Sequence, residues 1–349
     1  MKKTKKSQRV PFFKRKPFLW TVGIILGIIL VVVVAFRVSP FPGAFVIRAV
    51  FDQDAQKKLV ALEAHKPSTL ITVLKDQQYS EGDNDAKLDV YIPQAKVADG
   101  AKLPIIIWTH GGAWISGDKA NAGPYFELLA EKGFVVVSVN YTLAPNKTYP
   151  TQIHQLNAAH AYIKAHAESF YGDPNKIILA GDSAGAQLSS QMATIITNPS
   201  YATEVGVVPS LAKSDLAAVV LFCGIYKMEG LTHPEENLSK LISWGDDVTV
   251  WSYTGSRDKN APSIRQMSAY YHVDSNFPKT FISGGNNDPL TDVQSKPMAD
   301  KLTSLGVEVT SLFYPADHQP ALPHEYQFNL DNDDGMNALM QVQDFVAGL

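Results

Sequence analysis

Five residues, Gly181-Asp182-Ser183-Ala184-Gly185, constrain this chain more than any other segment because of what flanks them. Before them lies the apolar run Lys176-Ile-Ile-Leu-Ala180; after them comes Ala186-Gln-Leu-Ser-Ser-Gln-Met-Ala-Thr-Ile-Ile196, which has helical character. A G-x-S-x-G pentapeptide between a strand and a helix reads as a nucleophile elbow. Its glycines relieve steric clash at a sharp turn, and the serine Oγ stands exposed above the sheet. Alone the pentapeptide is a weak signal; the strand before it and the helix after it give it weight.

The rest of the chain supplies a sheet for such an elbow. Residues 71–79 and 87–92 read as strands separated by the turn-rich Ser80-Glu-Gly-Asp-Asn-Asp85. Strands are then expected at 104–109, 134–140, 176–180, 216–226, 279–283 and 307–314, with helices at 124–132, 151–169 and 335–348. Continuous β-branched runs alternating with helices predict an α/β fold whose parallel sheet is buried on both faces. Residues 227–275 break the alternation and are rich in Trp244, Trp251, Tyr253, Tyr270 and Tyr271, as an inserted helical cap over a pocket would be. The aromatic side chains there suit a substrate wall, or simply the packing of cap onto domain.

Charge divides the chain sharply. Residues 1–17 hold eight Lys/Arg and no acid, and residues 18–36 hold no charge at all. The remaining 23 basic residues face all 34 acidic ones, a formal charge of −11, which argues against a nucleic-acid partner. Nineteen apolar residues at about 1.5 Å each match a hydrocarbon core of roughly 30 Å. Residues 18–36 are therefore read as an uncleaved transmembrane anchor, with Trp20 at one interface. The basic tail 1–17 stays cytoplasmic, so the protein is a single-pass cell-membrane protein with its catalytic domain outside. A cleaved signal peptide is the rival, but its apolar region is usually shorter and no small-x-small site stands beside Phe36-Arg37-Val38. Residues 37–69 form a juxtamembrane linker and an amphipathic helix over 44–65, with Phe45, Ile47, Val50, Leu59 and Leu62 as apolar anchors; the catalytic domain is 70–349. The single cysteine, Cys223, excludes an intrachain disulfide and reads as a small buried core residue.

A serine at its free pKa is a poor nucleophile, so a base must take its proton and a third group must orient the base. Asp288 follows the strand ending in Gly284-Gly285, on the same sheet edge as Ser183. Asp292, four residues on, falls in the next helix as a capping residue. The base is expected after the last strand, where two histidines qualify: His318 in Tyr314-Pro-Ala-Asp-His318 and His324 in Pro323-His-Glu-Tyr-Gln-Phe328. His324 is preferred, because Tyr326 and Phe328 can anchor its loop, leaving His318 as a rim or substrate-contact residue. His110-Gly-Gly-Ala-Trp114 follows another strand, and backbone N–H groups of Gly111, Gly112 and Ala113, with that of Ala184, are the expected oxyanion donors. His110 is assigned to holding that loop, and Asp182 to structural hydrogen bonding. Asp331-Asn-Asp-Asp-Gly335 lacks the glycine spacing and terminal Glu of a calcium loop and reads as a helix N-cap. No histidine pair has metal-ligand spacing and no Gly-rich phosphate loop occurs, so neither metal nor cofactor is expected.

Together HGGAW (110–114), Asn140-Tyr-Thr-Leu-Ala-Pro145, GDSAG and Asn287-Asp-Pro-Leu290 resemble the α/β-hydrolase fold, in particular its hormone-sensitive-lipase-like esterase and carboxylesterase branch. The resemblance covers roughly residues 70–349. It implies an eight-stranded, mostly parallel sheet flanked by helices, and cleavage of small carboxylic esters through an acyl-serine. Two departures stand out: Ala113 replaces the usual third glycine, and the usual histidine-glycine-phenylalanine is replaced by the HEYQF segment. A serine peptidase, or a silent hydrolase fold serving as an adhesion or sensing ectodomain, are the alternatives.

Overall fold

The computed structural model describes residues 16–98, 100–232 and 240–349. The expected basic tail lies almost wholly outside them. Eight strands, β1 (Ile71–Gln78), β2 (Lys87–Pro93), β3 (Leu103–Thr109), β4 (Val135–Val139), β5 (Gly172–Asp182), β6 (Leu216–Phe222), β7 (Lys279–Gly284) and β8 (Val309–Phe313), form one sheet. Its order is β1-β2-β4-β3-β5-β6-β7-β8. The two pairings of β2, with β1 and with β4, are antiparallel, and the rest are parallel. This is the mostly parallel eight-stranded sheet that the resemblance implies.

The apolar runs explain the layering. In β3, Ile105 and Ile107 point into one core, while Ile106 and Trp108 point into the other, on the opposite face. Each such side chain contributes about 1.5–3 kcal/mol on burial. Helices Thr151–His166 and Ala184–Thr197 add to the first core, and Gly123–Glu131 and Asp333–Ala347 to the second. Strand β6 ends at Phe222, short of the expected Tyr226, because Cys223 turns the chain with φ +42°. Strand β5 starts at Gly172, ahead of the expected 176, and its pairing with β3 shifts register near Asp173-Pro174.

Between β6 and β7 the insertion is helical, with segments Glu229–Thr232, Lys240–Thr254 and Pro262–Gln266. The helix Phe41–Glu63 lies against it, and of the five expected apolar anchors Ile47 and Leu62 are buried and Leu59 half-buried. Phe45 and Val50 are exposed, while Gly43, Ala44, Ile47 and Leu62 are buried. Small residues decide the contact: a Cβ on Gly43 would stand 2.9 Å from the Val248 methyl groups of the cap. Arg48 anchors the same helix, donating to the carbonyls of Ile115 and Ala144. Ahead of it, Lys16–Val38 is a separate helix, and its Phe18–Val38 portion is long and apolar enough to cross a membrane and is mostly exposed.

Candidate active site

Ser183 sits where β5 meets the helix Ala184–Thr197, with φ +51° and ψ −119°. That conformation is one L-residues rarely adopt, and the close approach around it enforces it. A Cβ on Gly185 would lie 2.0 Å from the Thr109 carbonyl oxygen, and one on Gly181 2.6 Å from the Gly185 backbone. The elbow can therefore exist only with glycine at both positions. The Ser183 N–H is tied to the Phe222 carbonyl at 2.8 Å, and the residue is 8% exposed.

The structure brings Asp288 and His324 to this serine. His324 Nε2 lies 3.0 Å from Ser183 Oγ, and Nδ1 lies 2.9 Å from Asp288 Oδ2. With its proton on Nδ1 the ring donates to Asp288, leaving Nε2 to accept from the serine hydroxyl. Asp288, beyond β7, is buried, and its Oδ1 accepts from the Leu290 N–H at 2.9 Å. Burial disfavours an imidazolium, but the neighbouring Cys223 and then the hydrogen-bonded Asp288 carboxylate together outweigh it, so the His324 pKa is raised well above the ordinary histidine value.

His318 goes elsewhere. Its Nε2 is 2.9 Å from Asp334 Oδ2, and its ring packs on Tyr314, so it braces the closing helix instead of forming a pocket rim. Asp292, expected to cap a helix, instead pairs with Lys296 one turn on, at 2.6 Å. Asn332 caps the closing helix through the Asp334 N–H.

The oxyanion loop differs from expectation at one residue. The Gly111 N–H donates to Asp182 Oδ2 at 2.8 Å and is thereby committed, so Gly111 is not a free donor. Among the described residues no acceptor meets the N–H groups of Gly112 or Ala113. Ala184 opens its helix, and its N–H has no intrahelical acceptor. Ala113 has φ +50°, a conformation that glycine would adopt without strain. His110 is buried and stacks on Tyr141, and its Nδ1 contacts the Gly111 carbonyl at 2.8 Å; burial lowers its pKa. Asp182 also accepts from Trp108 Nε1 at 2.8 Å.

Two contributors escaped the sequence reading. Cys223 is buried, but its Sγ and the ligand-capable atoms of Asp288 and His324 all lie within 4.8 Å of one another. Burial pushes its thiol up to about 11, so it faces the imidazole as a neutral group. Asn286 staples the long loop after β8: its amide donates to the His318 carbonyl at 3.0 Å and accepts from the Leu322 N–H at 2.8 Å. Its position two residues before Asp288 was the available signal.

The site floors a cavity of about 820 Å³. Trp108, Phe126 and Phe328 line it from the domain, Ile242 and Thr249 from the cap, and Phe51 and Lys58 from the helix Phe41–Glu63. Of the cap aromatics singled out earlier, Tyr271 lines the cavity. Tyr253 stacks on Trp114, and Trp251 lies beneath Arg257.

A reactive-serine elbow on the central strand of an eight-stranded sheet, with a histidine bridging it to a carboxylate beyond β7, defines the α/β-hydrolase class. Residues 88–302 match the BD-FAE family, and the chain belongs to it. Among similar proteins, the probable carboxylic ester hydrolase LipM of Mycobacterium tuberculosis is 31% identical over 197 residues, 55% of this chain and 42% of the relative. Carboxylesterase NlhH of the same organism is 30% identical over 255 residues, covering 70% of this chain and 72% of the relative. The chain spans 54% of each of the M. tuberculosis esterases LipQ and LipC, and so about half the length of these relatives and LipM. Among solved structures, inhibited esterase B from Lactobacillus rhamnosis superposes with TM-score 0.74 at 21% identity, covering 86% of this chain and 94% of that one. An esterase from Pyrobaculum calidifontis gives 0.66 at 22% identity, covering 86% and 92%. At such identities the likeness is one of fold.

Proposed function

We propose that this chain is a membrane-anchored serine carboxylesterase whose catalytic domain faces outward. The observation that carries the reading is the unbroken relay Ser183–His324–Asp288 at the floor of the cavity. Ser183 Oγ attacks the acyl carbon while His324 Nε2 takes its proton, and Asp288 holds the imidazole in the tautomer that can accept it. The oxyanion that forms meets the N–H groups of Gly112, Ala113 and Ala184. Collapse breaks the ester C–O bond, and the departing alkoxide takes the proton from His324. A water molecule, deprotonated by the same imidazole, then releases the acid and restores the serine. No step needs a cofactor.

The ester class is supported by the named relatives, and the cavity volume of about 820 Å³ lies in the range of sites that take a small-molecule substrate; the short acyl chain is the reading that the substrate series tests. A silent ectodomain is disfavoured because all three relay residues are present in bonding contact. The anchor reading rests on Phe18–Val38 and on the basic residues before it, which favour a cytoplasmic N-terminus. Initial rates on p-nitrophenyl esters from acetate to palmitate, beside Ser183→Ala, test the function. Activity confined to short chains and lost by at least about 10⁴-fold in the variant is expected. Hydrolysis that survives in the variant, or no hydrolysis by the parent at any length, removes the proposal.

A further inference from the structure

The site contains a second polar network that the hydrolysis as written does not use. It starts on the helix Phe41–Glu63, where Lys58 Nζ lies 3.0 Å from Asp54 and 2.7 Å from Glu325 Oε2. Glu325 directly follows His324, and its other oxygen is 3.9 Å from His324 Nε2. Asp182, buried nearby, is bonded to Trp108 Nε1 and the Gly111 N–H. Its pKa is pushed up to about 7 by burial and then by the charge of Glu325. Burial also opposes the charge on Glu325, but Lys58 and then His324 outweigh it and hold its pKa below the usual range.

The contacts tie the His324 loop, through Glu325, to the helix Phe41–Glu63, and the charge of Glu325 also acts on Asp182, which holds the Gly111 N–H. The network's one cation comes from outside the sheet domain, across 267 residues of sequence. Glu325 also adopts φ +60°, a left-handed conformation that favours glycine, so its side chain is kept there against backbone preference. The side chains of Glu325 and Lys58 are only 18% and 34% exposed, so the loss of either leaves a poorly solvated charge.

We propose that Lys58 is a positioning residue for the hydrolysis: paired with Glu325, it sets the loop carrying His324. The helix that follows the apolar segment is thus a working part of the active site as well as a tether. The inference rests on the serine-esterase reading above.

The groups facing His324 are Asp288 and Cys223 from the sheet loops and Glu325 beside it, with Asp182 behind Glu325 and Lys58 and Asp54 on the helix. Removing Lys58 leaves the Glu325 charge uncompensated near Nε2, which favours the imidazolium; removing the Glu325 charge leaves Lys58 nearby, which disfavours it. The experiment uses the full chain in detergent with p-nitrophenyl butyrate, comparing Lys58→Met, Lys58→Arg, Glu325→Gln and the double variant Lys58→Met/Glu325→Gln. Lys58→Met is expected to lower kcat about 10–100-fold with KM moving less than about 3-fold, the cost of a misplaced catalytic group. Its acid limb in kcat/KM should move to higher pH and that of Glu325→Gln to lower pH. Lys58→Arg should recover most of kcat, and the double variant should lose less than the product of the single losses. An unchanged kcat and acid limb in Lys58→Met overturns the inference. So do limbs that move together, with activity falling only in step with melting temperature. A parent chain that neither hydrolyses esters nor labels at Ser183 with a fluorophosphonate removes the underlying reading, and this inference with it.

Discussion

Ser183 and His324 are held in the same site by opposite means. The serine is placed by backbone. Strand β5 ends, the chain turns through φ +51°, and β3 approaches so closely that only glycines fit at 181 and 185. The histidine is placed by side chains, on a long segment after β8 that is tied down by Asn286, Asp288 and Glu325. Backbone placement leaves a short, local trace in sequence. Side-chain placement leaves its trace scattered across the chain.

The sharpest way to break the contrast is at the elbow itself. Gly185→Ala puts a methyl 2.0 Å from the Thr109 oxygen and 2.6 Å from that of His110, both backbone atoms that cannot swing aside. The cost should reach or exceed the upper end of the about 1–3 kcal/mol usual for overpacking, because β3 itself must move. Thermal melting together with fluorophosphonate labelling of Ser183 checks it. A variant with parent-like melting and labelling shows that the approach is looser than described.

On the other side the two histidines separate role from neighbourhood. His324→Ala removes the bridge to Ser183 and should lower kcat by about 10⁴-fold or more. His318→Ala removes a bond to Asp334 on the closing helix, and should cost about 1 kcal/mol of stability while leaving kcat within about 2-fold. Parallel kinetics and melts on both variants decide it; a large kcat loss confined to His318→Ala would reverse the assignment.

What was legible in the sequence follows the same division. The sheet could be read because β-branched runs mark buried parallel strands, and Ser183 because glycine spacing records a steric demand. Asp288 and His324 could be singled out by their order after known strands, though spacing alone left His318 open. Gly111 could not be separated from Gly112 and Ala113, since which N–H is committed depends on where the Asp182 carboxylate points. The face of the helix Phe41–Glu63 was read only in part for a related reason: Ile47 and Leu62 are buried as expected and Phe45 and Val50 are not, while the contact with Val248 is set by a missing side chain at Gly43. Cys223 reads as core by composition, and nothing local reveals that the turn it makes after β6 brings its thiol to the triad.

The smallest expected effect tests how finely side chains hold the His324 loop. Asn286 touches neither Ser183 nor His324; it joins the Leu322 N–H to the carbonyls of His318 and Ala316, and so fixes the loop between them. Asn286→Ala should leave the elbow intact and loosen the Asp288–His324 contact. That contact is, with Cys223, one of the two influences that raise the His324 pKa against burial, so weakening it lowers that pKa. Because the neutral imidazole is the active form, the acid limb of kcat/KM should then move to lower pH, even as the pH-independent rate falls by about 10-fold. A rate loss without movement of the limb would mean that the loop shifts as a rigid unit with its Asp288 bond intact. A limb moved to higher pH would place the dominant influence on His324 at Glu325 instead, making the histidine's environment the work of its own loop more than of the sheet.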